Sequence, residues 1–237
     1  SGTTATAYSV GITGLAPATT YYYCAIASNA LGTSFGALVT FVTPAPPTVT
    51  TVAASAIAST SATLNGSANP NRAATTGWFR YSSTNPGTCD DTFGSRAPVA
   101  GGSGLGSGAV GVAFAQSITG LSAGTTYYYC AIASNAEGIA FGTILSFTTL
   151  AAPTVTTNAA TLVTSSTATL NGTSNPNGAT ATGWYRYSTT NPGACSDAFG
   201  TRAPAAGGTA LGAGVAAVAY TRAIAGLTPA TTYYFCA

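Results

Sequence analysis

Residues Thr125–Ala136 read TTYYYCAIASNA; the same twelve residues stand at Thr19–Ala30, and a shorter copy, TTYYFCA, occupies Thr231–Ala237. Cysteines give the spacing. Cys24, Cys130 and Cys236 lie 106 residues apart, and so do Cys89 and Cys195. A fixed period of this kind marks a tandem array in which each period is one structural unit, and 106 residues is the size of one ordinary domain. The 237 residues then divide into the C-terminal part of one repeat (1–43), a complete repeat (44–149) and a repeat lacking its last strand (150–237). A window that starts and stops inside a unit is expected to reflect processing or fragmentation, with any secretion signal lying upstream.

Composition narrows the function classes. Only 4% of residues are charged, there is no His and no Met, and all six cations are arginines: Arg72, Arg80, Arg96, Arg186, Arg202 and Arg222. A net charge of +2 without clusters is no nucleic-acid footprint, since tracking phosphates needs grouped Lys and Arg. No apolar run is long enough to span a bilayer. Without His there is no imidazole metal site and no His-based triad. One Glu and three Asp, with no pair of carboxylates recurring in both units, leave no inventory for catalysis or a cofactor, so the chain is expected not to be an enzyme. The remaining surface of Ser, Thr, Asn, Gly and Ala carries little charge to keep copies apart.

Local pattern points to strands throughout. Tyr8, Val10 and Ile12 alternate, the turn Gly14-Leu15-Ala16-Pro17 follows, then the tyrosine stretch, then Phe35–Thr43. Period-two alternation with β-branched and aromatic residues predicts three strands here. The order returns at Ala109–Ile118, Thr125–Ser134 and Ile139–Thr149. Before it come Thr48–Ala53, Ser61–Gly66, the turn Asn69-Pro70-Asn71, and Thr76–Tyr81, giving six or seven strands per unit and no helical periodicity. The short linkers Pro44–Pro47 and Leu150–Pro153 are stiff by composition and predict a rod of units. Ser82–Gly108, matched by Ser188–Gly214, is too long and glycine-rich for a plain hairpin loop and is expected to pack as a compact excursion.

Seven short strands in this order, together with Leu15-Ala16-Pro17-Ala18-Thr19-Thr20-Tyr21, Leu121-Ser122-Ala123-Gly124-Thr125-Thr126-Tyr127 and Leu227-Thr228-Pro229-Ala230-Thr231-Thr232-Tyr233, resemble fibronectin type III domains. The resemblance is to L-x-P-x-T-x-Y, with Ala123 replacing the proline in the middle copy. It covers each unit except the insert and departs from the family in placing Trp78 one strand later than its usual core Trp, where Leu64 stands. It implies an all-β chain of tandem immunoglobulin-like sandwiches. Tyr21, Tyr127 and Tyr233 would then form tyrosine corners, each ring sealing one end of a sandwich while its hydroxyl bonds nearby backbone. The family also implies spacing, binding and cell-adhesion roles outside cells and no catalysis; its integrin-binding RGD tripeptide is absent, so that activity is not carried over.

Alternation assigns the two faces of the tyrosine strand. If Tyr127, Tyr129, Ala131 and Ala133 face the core, Tyr128, Cys130 and Ile132 face outward, and on the neighbouring strand Phe79 and Tyr81 point in while Trp78 and Arg80 point out. An outer face carrying Trp, Tyr, Ile and Cys needs a cover. The insert is expected to supply it, stapled by Cys89–Cys130 and, one period on, by Cys195–Cys236; closing 41 positions is worth about 4 kcal/mol in the chain-entropy model. The rival pairing joins neighbouring units, Cys24 with Cys89 and Cys130 with Cys195. Either way one of the five cysteines lacks a partner, and their regular alternation without CxxC spacing speaks for an oxidising compartment.

Smaller signals carry less. Asp90 and Asp91, matched only by Ser196 and Asp197, offer too few oxygens for Ca²⁺ and are expected to pair with Arg96 and Arg202. Gly101–Gly106 has the glycines of a phosphate loop but neither its Lys nor its helix. The outward Tyr and Trp could stack on sugar rings if they are not buried. Asn65 and Asn171 open glycosylation sequons, and the many Ser and Thr offer further sites. The sequence thus predicts a structural repeat protein of bacterial type, secreted or surface-displayed, forming a stalk, fibre or filament by self-association. The alternative is a spacer module of an adhesin or enzyme, gripping glycans or protein.

Overall fold

Along Ser61–Asn69 every second residue is buried, Ala62, Leu64, Gly66 and Ala68 facing in while the Thr and Asn between them face out. That alternation is what a strand with one face on a core requires. A computed structural model describes residues 4–237, and among these every regular element is a strand. No helix of the described residues is long and apolar enough to cross a membrane.

The first 43 residues contribute β1 (Thr20–Tyr23), β2 (Ile26–Asn29), β3 (Gly32–Phe35) and β4 (Val39–Val42). β1 pairs with β4, and β2 with β3. The strand expected around Tyr8, Val10 and Ile12 is not formed: the segment has no ladder partner among the described residues, and the three side chains are exposed. The reason lies in pairing. The equivalent strand one period later bonds to a central strand like Ser61–Asn69, and residues 4–43 contain no counterpart of it.

From Thr48 to Thr148 run β5 (Thr48–Ser55), β6 (Ser61–Asn69), β7 (Thr75–Ser82), β8 (Ser95–Ala97), β9 (Ser103–Gly106), β10 (Val112–Thr119), β11 (Thr126–Asn135), β12 (Gly138–Phe141) and β13 (Leu145–Thr148). One sheet has the order β10-β6-β5. The other runs β12-β11-β7-β8, with β13 also on β11 and β9 also on β7. With the insert strands β8 and β9 set aside and β12 and β13 taken as one split strand, strands one, two and four stand against three, five and six, the order of an immunoglobulin-like sandwich. The last strand is split at Gly142, because Thr51 of β5 reaches across: its Oγ1 accepts from Ala131 N at 3.0 Å, and a Cβ on Gly142 would collide with it.

Residues 154–236 repeat the pattern as β14 (Thr154–Thr161), β15 (Thr167–Asn175), β16 (Ala181–Gly183), β17 (Tyr185–Ser188), β18 (Thr201–Ala203), β19 (Thr209–Gly212), β20 (Val218–Ala225) and β21 (Tyr234–Cys236). Their sheets are β14-β15-β20, β18-β17-β21 and β16-β19. By proximity the chain forms two compact units, one of Ser1–Ser55, Thr63–Ile118 and Tyr127–Phe147, the other of Ala56–Ala62, Thr119–Thr126 and Thr148–Ala237.

In the first unit Leu64, Phe79, Phe114 and Tyr129 are buried, with the Phe79 and Phe114 rings 4.9 Å apart. Gly66 and Gly77 make room for Phe114, whose ring would lie 2.9 and 3.0 Å from a Cβ at each, closer than such atoms pack. The Tyr129 hydroxyl donates to Val52 O at 2.6 Å, and burial pushes its pKa up. One period on, the aromatics exchange roles. Tyr185 and Tyr220 replace the two phenylalanines, Phe235 replaces the tyrosine, and the Tyr185 hydroxyl donates to Tyr220 O at 2.6 Å. Burial pushes the Tyr185 and Tyr220 pKa values up in turn.

The linkers are hydrogen-bonded on both sides. Within the first unit Ala18 N donates to Pro44 O, Ala45 N to Asn71 O, and Asn71 Nδ2 to Pro46 O. Within the second, Gly124 N donates to Leu150 O, Ala151 N to Asn177 O, and Asn177 Nδ2 to Ala152 O. Leu64 is fully buried, so Leu64→Ala removes its packing and leaves a cavity. The expected cost is about 2–5 kcal/mol, read as a lower denaturant midpoint with an unchanged slope.

Candidate functional site

The outer face of β7 and β11 carries Trp78, Cys130 and Ile132, all buried. The register explains their meeting, since Trp78 lies opposite Ile132 and Arg80 opposite Cys130. Cys89, Phe93 and Ile144 pack onto the cluster from outside the two strands. A disulfide joins Cys89 to Cys130, with Cα atoms 6.1 Å apart, and another joins Cys195 to Cys236 at 6.0 Å. Both lie within the range such a bond spans without backbone distortion. Cys24 is free and exposed.

The first half of the insert packs onto this face through Cys89 and Phe93. Its second half extends the sheet, because β8 and β9 both pair with β7. Gly94, at φ +50°, makes the turn between the halves; a Cβ there would run into the Tyr81 carbonyl oxygen.

Charge completes the cover. Arg80 Nε donates to Asp91 Oδ1 at 2.8 Å, Trp78 Nε1 donates to the same oxygen at 2.8 Å, and Arg80 Nη2 donates to the Asp91 carbonyl. Arg96, opposite Arg80 on β8, lays its guanidinium over the Trp78 ring at 4.7 Å. Such a contact is worth about 0.5–2 kcal/mol, more when desolvated. The partner expected for the aspartate is therefore corrected: Asp91 pairs with Arg80, whereas Arg96 stacks on the tryptophan and donates to Pro98 O and Gly101 O. The next repeat has the same set, Asp197 bonded to Arg186 and Trp184, and Arg202 over Trp184 at 4.7 Å.

Burial works against the charge on Asp91, yet the hydrogen bonds from Arg80 and Trp78 and the charges of Arg80 and Arg96 outweigh it and hold its pKa below the usual carboxylate value. For Asp197 the Arg186 hydrogen bond is the leading cause of the same lowering. Asp90 is lowered first by the Thr92 hydroxyl; its Oδ1 also accepts from the Thr92 and Phe93 amides and caps the turn. Among the described residues no three His, Cys, Asp or Glu stand together as metal ligands.

The other predicted residues have local roles. Tyr21 OH accepts from Ala16 N at 2.9 Å and Tyr233 OH from Thr228 N at 3.0 Å, each five residues back. The Tyr127 ring stacks on Phe147 at 5.8 Å. Asn65 Nδ2, the atom a glycan would take, donates to Ala53 O and Ser55 Oγ across a register shift between β5 and β6. Asn171 Nδ2 does the same with Ala159 O and Thr161 Oγ1.

No family model matches the chain, and no curated protein matches it. Among solved structures, the FN1–FN3 domains of chicken CNTN1 are 13% identical, over 92% of this chain and 69% of that one, with a TM-score of 0.32. A two-domain fibronectin type III segment of chicken tenascin is 16% identical, over 79% of this chain and 87% of that one, with a TM-score of 0.25. At these scores neither likeness carries the assignment, which rests on strand order and pairing.

Two outcomes follow for the stapled face. Reducing Cys89–Cys130 is expected to cost about 4 kcal/mol and to shift tryptophan fluorescence to the red as the cover lifts from Trp78. Asp91→Asn is expected to cost about 1–2 kcal/mol at neutral pH. A carboxyl with a depressed folded pKa contributes stability that is present above its unfolded value near 3.9 and lost as pH falls through the folded value. The midpoint difference between wild type and Asp91→Asn should therefore shrink below about pH 4 and be flat above it.

Proposed function

We propose that this chain is part of a secreted or surface-displayed structural array, a stalk, fibre or filament of stacked sandwiches of bacterial type, without catalysis, whose chief contacts are neighbouring repeats and copies of itself. One observation carries the reading: the chain builds the same hydrogen-bonded linker twice, at Pro44–Pro46 and Leu150–Ala152. A linker bonded to turns before and after it resists bending, which suits a shaft whose work is mechanical. Repeats of 106 residues bounded at 43/44 and 149/150 would each add roughly 35 Å, from strands of about ten residues at 3.3 Å. Two disulfides support an oxidising setting, and extracellular display follows from this reading.

The glycan-gripping alternative has less support at Trp78, which is 7% exposed and lies under Arg96, so it offers no open face for a sugar to stack on. Electron microscopy of native material is expected to show filaments or straight beaded shafts. Asn71→Ala with Asn177→Ala removes a side-chain bond at each linker, and small-angle scattering should then show a broader spread of particle dimensions. Flexible beads in the wild type, or glycan binding abolished by Trp78→Ala, would turn the assignment to the spacer module.

A further inference from the structure

The sheet β10-β6-β5 has all three of its strands between Thr48 and Thr119, and β10 is one of its edges. Among the described residues β10 pairs with β6 alone, which leaves one side of its backbone without a ladder partner. Such a row of N–H and C=O groups is a template for another strand, and proteins blunt it with charge, proline, a bulge or brevity. β10 runs eight residues, VAFAQSIT, with neither charge nor proline. Its outward side chains are the small Ala113, Ala115, Ser117 and Thr119, so nothing bulky keeps a second backbone away. The opposite edge is closed. β5 bears the register shift between Val52 and Ser55, and its Val52 carbonyl and Thr51 hydroxyl are already bonded to Tyr129 and Ala131 across the sandwich.

The next repeat supplies a contrast. β20 is the counterpart edge of β14-β15-β20 and pairs with β15 over eight continuous positions. Its sequence is VAYTRAIA, and Arg222 stands where β10 has Gln116. Both positions lie between two buried residues, Phe114 and Ile118 in one strand, Tyr220 and Ile224 in the other. By strand alternation both side chains therefore project on the core side of the edge. An inward-pointing charge is one of the devices that guard an edge, because an approaching strand would take it out of water. β20 carries that guard at its centre; β10 carries a neutral amide in its place.

We propose that β10 is a self-pairing edge: β10 of one copy bonds antiparallel to β10 of a second copy about a two-fold axis at Gln116, joining two three-stranded sheets into one of six. Cross-strand partners then share a face. Gln116 opposes Gln116 of the second copy, Ala115 opposes Ser117, Phe114 opposes Ile118, and Ala113 opposes Thr119. Charge selects the occupant. Two β10 strands meet with no charge on either side, whereas two β20 strands in the same register would set Arg222 against Arg222, and like charges directly opposite destabilise a pair. The contact is isologous, so a chain with one open edge stops at dimers. The proposal rests on the structural reading above, whose contact between copies it names.

Sedimentation of the full chain carrying Cys24→Ser, which removes disulfide exchange at the free thiol, is the test. Dimers that grow in with concentration are expected, with amide hydrogen exchange slowed over residues 112–119 and unchanged over 218–225. Gln116→Arg places on β10 the residue that β20 already carries, so the fold accommodates it, and it should weaken association about tenfold or more. Arg222→Gln removes the guard from the second edge, and the chain should then pass beyond dimers to larger multimers. A chain that stays monomeric at every concentration, dimers that survive Gln116→Arg, or an Arg222→Gln chain that stops at dimers overturns the proposal. None of these results touches the array reading, which microscopy of native material tests separately.

Discussion

Everything distinctive in this chain follows from one constraint: the β7–β11 sheet is apolar on both faces. An ordinary sandwich buries one face of each sheet and leaves the other to water. Here Trp78, Cys130 and Ile132 make the outer face a second small core, and a covalent bond closes the cover over it. The insert is thus a third layer over part of the sandwich. Its polar bonds are aimed at the same place, with Asp91 accepting from both Trp78 and Arg80, so that the indole nitrogen and the guanidinium are satisfied together. Among the described buried side chains no polar atom lacks a hydrogen-bond partner.

That layering lets a low-charge chain remain ordered. With 4% charged residues the protein has few ion pairs to use, and it places two of them beside tryptophans, where they also order the insert. The next repeat uses the same set, Asp197 bonded to Trp184 and Arg186.

Much of this was legible in the sequence, for physical reasons. The period is explicit, and alternation with period two separated Phe79 from Trp78 and Tyr129 from Cys130 by face. Where the sequence misled, a nonlocal condition decided. Tyr8, Val10 and Ile12 have the pattern of a strand but no ladder partner among the described residues. Asp91 sits nearer in sequence to Arg96, yet the insert doubles back and presents it to Arg80. The short β8 and β9 were hidden because three or four residues among glycines carry too little pattern to distinguish an added edge from a loop. The break of the final strand at Gly142 depends on Thr51, ninety-one positions away. The sequons at Asn65 and Asn171 announce nothing of the bulge their amides span.

The exchanged aromatics carry a further meaning for an array of near-copies. Adjacent repeats with almost the same strands risk trading them during folding, a characteristic failure of repeat proteins. One repeat holds Phe79, Phe114 and Tyr129, the next Tyr185, Tyr220 and Phe235. A strand taken from the first into the second would bring three hydroxyls into a core shaped for two, and overpacking of that kind costs about 1–3 kcal/mol. The reverse trade would leave a core with none and a gap in its place. A single oxygen atom thus distinguishes the two tyrosine strands, present on Tyr129 in one core and absent from Phe235 in the other.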